Sequence, residues 1–108
     1  MTENKNTVEL QGHLSRDPEI LRHHNGKLAK LSLITEEYYQ NKKGILVKTT
    51  QWHKLSAWAE DAERAEKMLK KGTALSVTGK LVHNCFQDRN GIQRNVTEVR
   101  VLDLKIIS

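Results

Sequence analysis

The octapeptide QWHKLSAW, residues 51–58, holds both tryptophans of a 108-residue chain that has only five aromatic residues. Read as a β-strand, its side chains alternate between two faces: Gln51, His53, Leu55 and Ala57 on one, Trp52, Lys54, Ser56 and Trp58 on the other. Leu55 and Ala57 are the natural core residues, so the tryptophans fall on the opposite, outward face with a lysine between them. At about 3.3 Å per residue the two indoles stand roughly 20 Å apart along the strand. Large rings turned to water in a row call for a partner that covers them.

The length suits one domain, residues 1–108, with a modest core. With 37% hydrophobic and 29% charged residues the composition is that of a globular protein. No segment approaches the roughly 20 apolar residues of a membrane span, and the polar start MTENKNT has none of the parts of a secretory signal, so a cytoplasmic location is expected. The single cysteine, Cys85, has no mate for an internal disulfide, in keeping with a reducing compartment. A net charge of +5 points to an acidic partner. Between Tyr38 and Lys54 stand four lysines, Lys42, Lys43, Lys48 and Lys54, and no acid. Cations interleaved with stackable rings fit a nucleic acid better than a membrane surface, which would ask for an amphipathic basic helix.

On either side of the octapeptide the chain alternates in the same way. TVELQGHL (7–14) carries Val8, Leu10 and Leu14 on one face, with Gly12 marking a bend or bulge. SRDPE is a turn, NGK at 25–27 is another, and LAKLSLIT (28–35) is a second strand. QNKKG (40–44) reads as a mobile polar loop before a third strand over roughly 46–58. At Ala59 the period changes. In AEDAERAEKMLKKG, Ala62, Ala65 and Leu69 recur at helical spacing, Glu60, Asp61 and Glu63 lie near the start, Lys70 and Lys71 complement the C-terminus, and Gly72 follows. ALSVTGKLVHNCF returns to alternation, with Leu75, Val77 and Leu81 on one face and Lys80, Val82, Asn84 and Phe86 on the other. QDRNG is a hairpin turn and 92–105 the returning strand. There Val99 and Val101 share one face whereas Leu102 and Leu104 share the other, which predicts a bulge. Three strands, a helix and two strands is the order of the OB-fold, an all-β, five-stranded Greek-key barrel with one short helix between strands three and four.

From about Asn6 to Ile107 the sequence resembles the bacterial single-stranded DNA-binding protein (SSB) family, through NTVELQGHLSRDPE, TQWHKLSAW, AEKMLKKGTALSVTGKL and TEVRV in the family's order. The resemblance implies a non-enzymatic OB domain that binds single-stranded DNA independently of sequence, protecting and organising strands in DNA replication, recombination and repair. It implies as partners single-stranded DNA, further copies of the chain in a homotetramer, and replication and repair proteins. No cofactor and no membrane partner is implied, and the location is nucleoid-associated. Position by position, Trp52 matches the family's strand-three tryptophan, Trp58 a position usually held by phenylalanine, Phe86 a tryptophan on the hairpin of strands four and five, and Tyr39 an aromatic at the end of strand two. Stacking a base on such a ring is worth about 1–3 kcal/mol and accepts any base. Tyr38, opposite in parity to Tyr39, is read as structural or accessory.

Lys42, Lys43, Lys54, Lys80, Arg89 and Arg94 are the candidates for phosphate contact, and together they predict binding that weakens with salt. His53 shares the face of Leu55 and is assigned to packing or the subunit interface. His83 and Cys85 lie on one strand face, but two ligands without a second pair make a poor zinc site, so no metal is expected. No P-loop, nucleophile elbow or activated cysteine is present, and no catalytic residue is assigned. The family's flexible linker and acidic, apolar-tipped tail are not matched: the sequence ends at LKIIS, and recruitment of other proteins through a tail is not carried over. An alternative keeps the barrel as an assembly module acting mainly through protein partners, resembling the primosomal replication protein.

Overall fold

A computed structural model describes residues 3–107. Its elements are β1 (Val8–Leu14), β2 (Glu19–His23), β3 (Gly26–Gln40), β4 (Leu46–Trp58), α1 (Glu60–Met68), β5 (Ala74–Gln87) and β6 (Gln93–Ile106). The sheet runs β1-β5-β6-β4-β3-β2, and a further pairing of β1 with β3 closes it into a barrel. Five strands form that barrel, as the OB order predicts, with α1 between the third and fourth of them.

The sixth strand segment is β2, where the sequence reading placed no strand. It continues the course of β1 along the same neighbour: Leu14 lies opposite Leu33 and Glu19 opposite Lys30, both on β3. Residues 15–18 between them include Pro18, which has no N–H to give a ladder, so one long strand is broken in two.

The core collects the inward positions of each strand, with Leu14, Leu33, Leu55, Leu75, Val77 and Leu104 all but sealed from solvent. Across one end of the barrel lies α1, whose Ala62 and Ala65 are fully buried. Small residues on that face let the helix axis approach the strands closely, and Leu69 just beyond fills the remaining space. Ala59 makes the corner into the helix with φ 53°, in the left-handed region, so the strand ends abruptly after Trp58. The helix stops at Met68, one turn earlier than the charges suggested. Lys70 and Lys71 lie in the turn beyond it, their amides donating to Thr73 Oγ1 at 3.1 Å and Asp17 Oδ1 at 2.7 Å.

Two glycines and a bulge allow closure. Gly12 faces Leu75 on β5 while the Ile34 carbonyl of β3 passes directly over it. On β6 the expected bulge falls at Leu102: Thr78 pairs with Asp103 and Gly79 with Val101, leaving Leu102 unpaired and exposed and returning Leu104 to the interior. Leu81 keeps the parity of Leu75 and Val77 but is exposed; the β1 ladder that flanks β5 ends before it, at the Val8–Gly79 pair.

The helix is pinned to β3 by Lys27, whose ammonium lies 2.7 Å from Glu63 and 2.8 Å from Glu66. Bonds to those two carboxylates raise the Lys27 pKa, and the bond from Lys27 lowers that of Glu63. A depressed carboxylate contributes stability above its unfolded pKa and loses it as pH falls through the folded value. A raised lysine contributes below its unfolded pKa and loses it only in strong alkali. Acidification from about pH 6 to pH 3 is therefore expected to lower the melting midpoint of the wild type more than that of Lys27→Met, as read by circular dichroism. Equal acid sensitivity of the two proteins would remove the clamp from the account.

Candidate nucleic-acid interface

β4 and β6 run parallel and touch only at Leu55–Val99 and Ser56–Arg100. Before that contact they diverge, each as the returning strand of a hairpin, so β3–β4 and β5–β6 extend past the barrel on one side as two arms. The arm tips share a pattern, YQNKKGI over 39–45 and FQDRNGI over 86–92. Asn41 Oδ1 accepts the amides of Lys43 and Ile45 at 2.9 and 3.0 Å; Asp88 Oδ1 accepts those of Asn90 and Ile92 at the same two distances. Gly44 and Gly91 take φ of 76° and 77°, where other residues are strained. Residues 40–44, expected as a mobile loop, thus form a hydrogen-bonded hairpin turn.

The outward face of β4 carries Trp52, Lys54, Ser56 and Trp58, and the ladders extend it sideways. Lys80 lies opposite Arg100, Arg100 opposite Ser56, and Ser56 opposite Lys30, a row that crosses β5, β6, β4 and β3. Cross-strand partners share a face, so three cations flank Ser56. Ser56 itself is only 3% exposed and forms the floor of a groove of about 450 Å³ walled by Trp58, Val82, Asn84, Glu98 and Arg100. Asn84 Nδ2 donates to Glu98 Oε1 at 3.1 Å within it. A second cleft of about 320 Å³ opens where β4 and β6 diverge, with Trp52 and Lys54 on one wall and Asn95 to Glu98 on the other. Trp52 is 65% exposed, whereas Trp58 is half-buried in its groove.

The model of the single-strand binding protein family matches residues 5–107. This chain belongs to that family. It is 31% identical over 103 residues to the single-stranded DNA-binding protein of Neisseria meningitidis, covering 94% of this chain and 59% of that protein. To single-stranded DNA-binding protein 1 of Chlorobaculum tepidum it is 30% identical over 109 residues, covering 99% and 67%. The chain therefore spans about three fifths of the length of the Neisseria relative (59%). Its fold superposes on a Plasmodium falciparum SSB solved in complex with single-stranded DNA, with a TM-score of 0.88 at 25% identity and full coverage of both chains.

Of the positions matched to the family's aromatics, Trp52, Trp58 and Phe86 share the outward face. Phe86, 51% exposed, sits near the tip of the second arm. Tyr39 does not join them. It lies opposite Val47, on the face of Thr49, Gln51 and His53, while Tyr38 lies opposite Lys48 on the tryptophan face and is 60% exposed. Tyr38, read from the sequence as structural or accessory, is thus the tyrosine that shares the tryptophan face. Lys54 and Lys80 stand on the outward face, and Lys42, Lys43 and Arg89 occupy the exposed arm tips. Arg94, opposite Phe86, is the one of the six phosphate candidates that forms an ion pair among the described residues, to Asp88 Oδ2 at 3.0 Å. The Ile92 amide first, then Arg94, hold the Asp88 carboxyl below its usual range.

Arg100 and Lys30 are the cations that sequence reasoning missed. Alternation had turned Val99 and Val101 inward, which already turned Arg100 outward; only the β4–β6 contact brings it beside Trp58. His53 is half-buried with Nε2 joined to Thr35 Oγ1 at 2.8 Å, in keeping with packing. His83 and Cys85 are each engaged across the ladder: His83 Nδ1 is bonded to Thr97 Oγ1 at 2.8 Å, and Gln93 Nε2 donates to Cys85 Sγ at 2.7 Å. No described helix is long and apolar enough to cross a membrane.

Proposed function

We propose that this chain binds single-stranded DNA without regard to sequence, as a homotetramer, and keeps strands unpaired and protected during replication, recombination and repair in the nucleoid, with no chemical step of its own. The observation that carries the reading is the outward face itself: Trp52 and Trp58 with Lys54, Arg100 and Lys80 beside them, none of these cations held in an ion pair among the described residues. Rings supply a surface any base can stack on, and the cations neutralise phosphates, a combination that tolerates every sequence. The relatives' names and the DNA-bound neighbour support the same ligand. Assembly with further copies is supported by β1, which pairs with β5 over Val8–His13 but with β3 only at His13 and Leu14, leaving the other edge of residues 8–12 without a strand among the described residues.

A titration with oligo-dT of several lengths tests the reading. Tryptophan emission should be quenched, and log K should fall with log salt by about 0.7 for each phosphate contacted. An unchanged spectrum at low salt would overturn DNA binding and leave the assembly module. Sedimentation of the same sample reads the oligomer.

A further inference from the structure

The two arm tips are built on the same side-chain hydrogen bonds to the turn but differ in charge: QNKKG carries two lysines and no acid, QDRNG one arginine and one aspartate. Asn41 completes its turn through a single neutral amide oxygen. Asp88 uses one oxygen in the same way, so its second oxygen is not needed by the turn; it accepts instead from Arg94 Nε at 3.0 Å. Asp88 is the only acid between Asn84 and Thr97, whereas the first tip, with Lys42 and Lys43, has none. Arg94 is 58% exposed and lies directly across the ladder from Phe86, where it could meet the phosphate of a base stacked on that ring.

Building on the DNA-binding reading above, we propose that Asp88 stands in for a DNA phosphate on Arg94 and so holds the affinity of the second arm below what its cations would provide. An exposed ion pair is weak enough for a phosphate to displace. The displaced carboxylate stays anchored by the Asn90 and Ile92 amides, poised to retake Arg94 in competition with the phosphate. It is ionised throughout the neutral range, because the Ile92 amide and Arg94 favour the charged form. The first arm carries no such brake. A strand spanning both arms therefore lets go of the second one first.

Asp88→Asn in the full chain tests this, since Asn41 demonstrates that asparagine supports the same turn. Oligo-dT should bind about two- to fivefold more tightly at low salt, the change matching one exposed ion pair. The plot of log K against log salt should steepen by about 0.7 for each protomer engaged. The gain should vanish in the double variant Asp88→Asn, Arg94→Gln. Arg94→Gln alone, which does not touch the turn, should weaken binding less than Lys43→Gln. Wild-type affinity and slope in Asp88→Asn, a gain that survives loss of Arg94, or an Arg94→Gln defect as large as that of Lys43→Gln would each overturn the inference while the wild type still binds DNA. Failure of the wild type to bind would bring down both this inference and the reading it rests on.

Discussion

Trp52→Ala is expected to weaken oligo-dT binding by roughly 5- to 150-fold, the equivalent of one base losing about 1–3 kcal/mol of stacking. The indole is 65% exposed on the outward face of β4, opposite Ile34, so little of the core depends on it. The melting midpoint should accordingly stay within a degree or two of wild type, on the order of what surface substitutions produce. Trp52→Phe keeps a π-face and should recover most of the affinity. If Trp52→Ala bound oligo-dT as tightly as wild type, the ring would not be a platform, and the outward face would have to owe its affinity to cations alone.

Gly12→Val should unfold or badly destabilise the barrel, by about 3 kcal/mol or more, measured as the urea midpoint. A Cβ at position 12 would collide with the Ile34 carbonyl oxygen, lie 3.0 Å from the carbonyl carbon, and press on the Thr35 methyl at 3.3 Å. The obstacle is backbone, which has no rotamer to yield. Relief requires β1 to peel from β3, giving up the His13–Ile34 and Leu14–Leu33 pairs that close the cylinder and exposing Leu14, now 1% accessible. Near wild-type stability in this variant would mean that the closure seen at β1–β3 is not needed for folding.

The parts of this fold that could be read in advance are those decided by neighbours in sequence. Parity alone assigned Leu55 and Ala57 to the core and Trp52 to the surface, because the β-strand repeat is set by the backbone. The conflicting parities of Val99 and Val101 against Leu102 and Leu104 predicted a bulge near that point; its place at Leu102, which turns that leucine outward and Leu104 inward, is set by the pairing with β5. Ala62 and Ala65 identified the buried stripe of α1. What escaped depends on contacts between distant segments. Arg100 reaches Trp58 only through the parallel β4–β6 pairing, which has no local signature. The strand at β2 follows from β3 being long enough to hold two successive partners on the same edge. The exchange of Tyr39 for Tyr38 is a register effect. The turn at Asn41–Ile45 fixes which residues of β3 and β4 oppose one another, and one position decides which tyrosine stands with Trp52.

The arms part company with the cylinder at the Leu55–Val99 contact, and beyond it their ladders are their own. Adding or deleting two cross-strand couples in either arm would carry its tip residues about 6.6 Å outward or inward, two strand steps, while every inward-facing leucine kept its seat. How far the molecule reaches along a bound polymer is thus a dial separate from how firmly its centre holds, and lineages can turn the one without disturbing the other.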